Sequence, residues 1–294
     1  MSFREFLVRQ QQLVDHELDR LVPEESAPPA TIHRAMRYSL FAGGKRIRPL
    51  LCLCAGSTVS DNTDGLVTAA CTLEFIHTYS LIHDDLPALD NDDYRRGKLT
   101  CHRVFGEAIA ILAGDALLTL AFQVLSTRLS VNDSRNVQLI GELSEAAGTV
   151  GGMIGGQVAD IEGEGKPPDA ELLENIHRAK TGALLRASVR MGAIYAGGSP
   201  EQTAAMSCYG EHIGLAFQMI DDILDVEESS ETLGKTAGKD VQQLKITFPA
   251  VYGLAESRRM AEVERQKAHA ALEPFGPRAQ RLHELADLIV QRKT

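Results

Sequence analysis

Apolar residues recur along most of this chain at the three- and four-residue spacing of an α-helix, and the alternation of a half-buried strand is scarce. The pattern predicts helices over Phe3–Leu21, Ala30–Phe41, Pro49–Ser57, Asp64–Leu86, Cys101–Ser130, Arg135–Ile161, Asp169–Ala196, Glu201–Val226, Gln243–Leu272 and Pro277–Arg292. Breakers stand between them: Pro28-Pro29, Gly43-Gly44, the stretch from Gly163 to Pro168 and that from Gly197 to Pro200. None of these linkers is long enough to divide two domains. Residues 64–86 and 101–125 lack a continuous polar face, which belongs at the centre of a bundle. The expectation is an all-α fold, a single large helical bundle domain over residues 1–294 with central helices ringed by others. The segment from Glu228 to Lys245 is polar and holds Gly234, Gly238, Lys235 and Lys239, so it reads as a surface loop or as a lid over the residues before it.

Composition changes this picture little. The 294 residues are 44% hydrophobic and 24% charged, ordinary for a globular protein. A formal net charge of −10 argues against general nucleic-acid binding. The N-terminus is charged throughout and lacks the apolar core of a signal peptide. The apolar run from Ala108 to Phe122 is broken by Asp115, so no membrane span is expected. Cys52, Cys54, Cys71, Cys101 and Cys208 show no CxxC pairing and read as reduced core residues of a cytoplasmic protein.

The chemistry concentrates in two aspartate clusters. Asp84-Asp85-Leu-Pro-Ala-Leu-Asp90 and Asp221-Asp222-Ile-Leu-Asp225 each end a long apolar stretch. Carboxylates there are costly unless something positive neutralises them, and oxygen-only ligands point to a hard cation, most simply Mg²⁺. Asp221 and Asp225, at i and i+4, share a helix face that Gln218 joins. Pro87 must disrupt the first helix, letting Asp90 fold back toward Asp84 from a turn. The competing interpretation is a pair of solvated acidic helix ends.

Basic groups lie nearby in sequence. Gly43-Gly44-Lys45-Arg46-Ile47-Arg48-Pro49 packs three cations into a turn that opens a helix, with Pro49 suited to the first helical position. Arg95-Arg96-Gly97 follows the first aspartates, and Lys180-Thr181-Gly182 interrupts an apolar helix. His77 lies two helical turns before Asp84 on the same face, as does Ser80 one turn before it. Two Glu-x-x-His steps, Glu74 to His77 and Glu174 to His177, match half of a di-iron carboxylate pattern but leave both aspartate clusters unexplained.

Taken together, DDLPALD…RRG, DDILD, GGKRIRP, LEFIHTYSLIHDD, RAKTG, FQMIDD and GKTAGKD resemble, in order, the trans-isoprenyl diphosphate synthases, from about Lys45 to Asp240. The resemblance implies that Asp84 and Asp90, with Asp85 behind them, and Asp221, with Asp222 and Asp225 near it, bind several Mg²⁺ ions. These would clamp the diphosphate of an allylic substrate with help from Arg95, Lys180 and Lys235. Lys45, Arg48, His77 and Arg96 would hold isopentenyl diphosphate, and Thr181 and Gln218 would lie along the path of the allylic cation. It also implies a homodimer. No enzymic nucleophile is needed, which agrees with the lack of a Ser-His-Asp or Cys-His arrangement. In this family the side chains below the first aspartates set product length. Tyr79, five residues before Asp84 and roughly 7.5 Å below it on a helix, would block a growing tail. The Tyr79-Ser80 pair and the spacer Leu86-Pro87-Ala88-Leu89 look like bacterial farnesyl diphosphate synthases, so the expected product is farnesyl diphosphate. The alternatives are another chain length, a terpene cyclase, which would not need the second DDxxD or GGKRIRP, and a non-catalytic synthase subunit, which should have lost ligands.

Overall fold

The computed structural model describes residues 1–167, 169–227 and 245–292. Its helices are α1 (Phe3–Leu21), α2 (Ala30–Leu40), α3 (Ile47–Val59), α4 (Leu66–Asp84), α5 (Cys101–Phe105), α6 (Glu107–Thr127), α7 (Asp133–Ala147), α8 (Met153–Gly163), α9 (Ala170–His177), α10 (Ala183–Tyr195), α11 (Pro200–Glu227), α12 (Phe248–Tyr252), α13 (Leu254–Ala271) and α14 (Gln280–Gln291). A π-helical turn, Arg178–Gly182, joins α9 to α10, and a 3₁₀ turn, Glu273–Ala279, precedes α14. The only strands among the described residues are β1 (Tyr94–Arg95) and β2 (Lys98–Leu99), an antiparallel pair. The all-α class expected from the periodicity is borne out. Contacts divide the chain into two compact units, Met1–Leu50 with Asp64–Asn136, and Leu51–Thr63 with Val137–Thr294.

In the first unit α4 is the central element and packs against α6 and α1. It contains neither Gly nor Pro, follows Gly65 in the left-handed region, and is buried at most positions from Leu66 to Ile82. Leu73, Phe75 and Ile76 are fully enclosed, each contributing about 1.5–3 kcal/mol of apolar burial. α1 starts on a capping box, Ser2 accepting from the Glu5 amide while the Glu5 carboxylate accepts from that of Ser2. In the second unit the 28-residue α11 packs against α10 and α13. Leu173, Leu215, Met219, Ile223, Ile246 and Phe248 form one apolar cluster there. The enclosed Tyr209 donates its hydroxyl to the Leu282 carbonyl at 2.8 Å.

Several sequence expectations need correction. The helices expected over 101–130, 135–161 and 243–272 are broken, at Gly106 (φ 83), around Gly151 (φ 66) and Gly152, and at Gly253 (φ 80). α3 starts at Ile47, so Pro49 lies inside its first turn rather than at its first position. Cys208 is exposed, whereas the other four cysteines are buried, and burial pushes the Cys54 thiol up to about 12. By length and composition α6 is apolar enough to cross a membrane, despite Asp115. One of its faces, through Ala110, Gly114, Leu117 and Ala121, is buried.

Candidate active site

In the first unit the end of α4 turns back on itself. Asp84 is the last helical residue and Asp85 its cap. The Asp90 amide donates to the Asp84 carbonyl at 2.8 Å and the Asp92 amide to that of Asp85 at 3.2 Å. Asp90 thereby returns to Asp84, as the position of Pro87 suggests. Asn91 takes the left-handed conformation (φ 50), which Asn tolerates better than most residues. Asp84 and Asp90 are half-buried. Asp85 is buried and accepts from Arg95 Nε at 2.7 Å. Arg95 is therefore held by Asp85 and lies 3.8 Å from Asp92 as well.

Arg96 and Gly97 both have positive φ (53 and 73) and form the two-residue turn between β1 and β2. This aims the Arg96 guanidinium at the Gly43 carbonyl, to which it donates. Gly44 has φ 135, a conformation that favours glycine, and the Arg96 guanidinium lies against it, 2.7 Å from where a Cβ would stand. The GGKRIRP and RRG segments thus meet. Within GGKRIRP the cations divide. Arg46 is buried in the left-handed region (φ 52), paired with Glu74 at 2.7 Å and Asp15 at 2.9 Å, and donates to the Leu40 carbonyl. Lys45 is exposed and Arg48 half-buried. His77 retains some solvent contact yet lies deep among protein atoms. Burial, and then Arg48, Arg96, Arg95 and Arg46, hold its pKa well below the usual histidine range, so it is neutral. Glu74 is engaged by Arg46 and Glu174 by Arg178, which accounts for the first residue of each Glu-x-x-His step without iron.

Below Asp84, Tyr79 is 5% exposed and its buried hydroxyl has no hydrogen-bond partner. Burial first, and Asp84 second, push that phenol up to about 12. Ser80 donates to the His77 carbonyl at 2.9 Å.

The second unit carries the other cluster. Lys180 donates to Asp160 of α8 at 2.6 Å. The Thr181 hydroxyl donates to Gln218 Oε1 at 2.8 Å, and Gln218 Nε2 to Asp222 Oδ1 at 2.8 Å. The other Asp222 oxygen accepts from the Phe248 amide at 2.9 Å. His177 stacks on Phe248 and brings Nε2 to 3.5 Å from the same oxygen. Burial drives the His177 pKa down to about 4. Asp222, expected as a metal ligand, is 3% exposed, and its two oxygens accept from Gln218 and from the Phe248 amide. Asp221 and Asp225 are half-buried. Asp221 pairs with Arg292 at 2.6 Å while the Arg292 guanidinium covers the Phe217 ring.

Sequence reasoning missed Asp160, Arg292, the contacts of His177 with Asp222 and Phe248, and two glycines that grip the π-turn. A Cβ on Gly156 would lie 2.6 Å from Lys180 Cα, and one on Gly214 2.8 Å from Gly182 Cα. Glycine inside a helix costs about 1 kcal/mol against alanine, and that cost was the available signal. Lys235 and most of the expected lid lie outside the described residues.

Among the described residues no group of three or more His, Cys, Asp or Glu side chains stands ready to hold a metal. The half-buried, oxygen-only donors Asp84, Asp90 and Asp221 fit Mg²⁺ nonetheless, since that ion takes one or two carboxylates and completes its shell with water and phosphate oxygens.

The profile of the family described as polyprenyl synthetase matches residues 29–275, across both units. The chain belongs to the polyprenyl synthetase family. This polyprenyl synthetase is 49% identical to the heterodimeric geranylgeranyl pyrophosphate synthase large subunit 1 of Arabidopsis thaliana chloroplasts, over 93% of the chain and 75% of the relative. An FPP/GFPP synthase from Zymomonas mobilis superposes with TM-score 0.87 at 34% identity, over 98% of each chain. A geranyltransferase from Helicobacter pylori, solved with magnesium and isoprenyl diphosphate, superposes with TM-score 0.83 at 32% identity, over 97% of this chain and 96% of the other. The polyprenyl synthetase is accordingly a prenyltransferase.

Proposed function

We propose that residues 1–294 form one short-chain isoprenyl diphosphate synthase domain that condenses isopentenyl diphosphate with dimethylallyl and then geranyl diphosphate, releasing farnesyl diphosphate and diphosphate. The observation that carries this is the return of Asp90 onto Asp84, in the unit where Arg96 also meets the Gly43 carbonyl of the basic turn. Carboxylates for a metal and cations for a phosphate are what two diphosphate substrates require.

Asp84, Asp90 and Asp221 are the proposed Mg²⁺ ligands, with Asp85 and Asp225 supporting them; the magnesium in the Helicobacter pylori relative supports the identity of the ion. Mg²⁺, when bound, neutralises the leaving diphosphate. Lys180 and Lys235 add positive charge to the allylic diphosphate. Arg95, held by Asp85, acts chiefly by fixing that carboxylate. Lys45, Arg48 and Arg96 hold isopentenyl diphosphate, and the neutral His77 offers it a hydrogen bond without adding charge. When the allylic C–O bond breaks, its electron pair leaves with the diphosphate. The isopentenyl double bond attacks the cation, and a proton passes to the departed diphosphate. The Thr181 hydroxyl and the Gln218 carbonyl, fixed by their own hydrogen bond, present oxygen dipoles to the cation.

Tyr79, buried five residues before Asp84, supports the farnesyl product, as does the FPP/GFPP synthase likeness. A geranylgeranyl product is the second reading, favoured by the Arabidopsis relative. Ile111 and Leu112, exposed on the apolar α6, support a second copy of the chain as partner. The absence of disulfides among the five thiols suits the proposed cytoplasmic setting. The test is product analysis: purified protein with isopentenyl and dimethylallyl diphosphates, with Mg²⁺ or EDTA, and sizing of the dephosphorylated alcohols. Mg²⁺-dependent farnesol is the expected result. Geranylgeraniol would shift the product to the second reading, and no elongation would refute the assignment.

A further inference from the structure

Tyr79 closes a wall in the proposed reaction, yet its own polar handle does not fix it. Its hydroxyl is buried without a hydrogen bond, so the ring is oriented only by what packs on it. One turn further along α4, on the same face, His83 meets that ring edge-on, with centroids 5.8 Å apart and planes at 76°. His83 is itself tied to α6. Its Nε2–H donates to the Ile111 carbonyl at 3.0 Å, and Asp115 lies 3.9 Å away. The contact is possible only because α6 carries glycine where the imidazole lands. A Cβ on Gly114 would lie 2.6 Å from His83 Cδ2 and closer still to Nε2. Gly114 sits mid-helix, where any other residue is better for the helix itself except proline. A ring contact, a hydrogen bond and a glycine gap converge on one imidazole that neither aspartate cluster uses.

We propose that His83 is a positioning residue for product length. Laid on Gly114 and tied to Ile111, it braces the Tyr79 ring so that the tail of a growing prenyl chain meets a fixed wall. This rests on the synthase reading and deepens it. His83 touches no reacting atom, so its loss alters where elongation stops rather than whether it occurs.

The experiment sizes the alcohols made by the full chain from isopentenyl and dimethylallyl diphosphates with Mg²⁺, for wild type, His83→Ala, His83→Phe and Gly114→Ala, with circular dichroism melts as a folding control. His83→Ala removes the brace, and Gly114→Ala displaces it from the other side. Each is expected to raise the ratio of longer-than-wild-type to wild-type product about two- to tenfold, the range that the worth of one aromatic pair implies. The KM for isopentenyl diphosphate should stay unchanged, as a general loss of structure would not allow. His83→Phe, which keeps a ring against Tyr79, should keep the wild-type length. A wild-type product distribution in folded His83→Ala overturns the proposal; if that variant does not fold, Gly114→Ala decides in the same way. Failure of the synthase reading is separate, because wild type would then make no Mg²⁺-dependent product.

Discussion

Arg46 and Arg48 are two residues apart in one basic turn, yet the structure gives them different work, and this can be measured. The Arg46 and Glu74 side chains are each 3% exposed and pair at 2.7 Å. Replacing Arg46 by Met strands a buried carboxylate, which typically costs about 3–5 kcal/mol. For a chain of this size that lowers the melting temperature by roughly 6–20 °C. Replacing both residues, as Arg46→Met with Glu74→Leu, removes the stranded charge and should restore most of the loss, since a buried pair is worth little against an apolar pair of similar volume. Arg48→Met should melt like wild type but raise the KM for isopentenyl diphosphate roughly tenfold or more, the worth of one charge-assisted hydrogen bond. Thermal melts and steady-state kinetics on the four proteins separate the roles. If Arg46→Met melted like wild type and raised KM as Arg48→Met does, the division of the turn into a structural and a binding cation would be wrong.

Three further outcomes follow from the second unit. Asp222→Ala leaves the Phe248 amide and Gln218 without their acceptor and should cost about 1–3 kcal/mol in urea unfolding, whereas Asp221→Ala should lose Mg²⁺-dependent turnover with little change in stability. Gly156→Ala pushes a methyl into the backbone at Lys180 and should cost about 1–3 kcal/mol together with a drop in kcat, because Lys180 and Thr181 move with that backbone. His177 has a folded pKa lowered to about 4, so its neutral form favours the fold fully above the unfolded value near 6.5, and that stability is lost as pH falls from there toward 4. The loss at the acid end is about 3 kcal/mol, and His177→Phe should flatten the slope in urea melts between neutral and acid pH.

Much of the fold was legible because buried helices announce themselves by spacing. α4 and α11 match the sequence expectation to within two residues at each end. The return of Asp90 was legible too, since Pro87 closes off continuation of the helix. The breaks at Gly106 and Gly253 were not, because a glycine inside a helical pattern shows its left-handed φ only once tertiary packing selects it. Strands of two residues are too short for alternation to show, so the hairpin that aims Arg96 went unseen. The partners that hold Arg95, Lys180 and Asp221 lie 10, 20 and 71 residues away in sequence, and composition does not pair charges. Asp222 is instructive. It adjoins Asp221, but one residue is about 100° around a helix, so neighbouring carboxylates of one motif had to face different surroundings.

The π-helical turn at Arg178–Gly182 acts on rotation as well as position. A wider turn inserts one residue into the helical phase, so the faces of α9 and α10 are offset by about 100° relative to an unbroken helix. Lys180 and Thr181 sit within that offset, one addressing α8 and the other α11. Every apolar position of α10 is buried in the phase that the extra residue sets. The segment should therefore accept changes of side chain far more readily than a change of length. Deleting one residue would straighten the helix and turn the whole of α10 out of register with its neighbours.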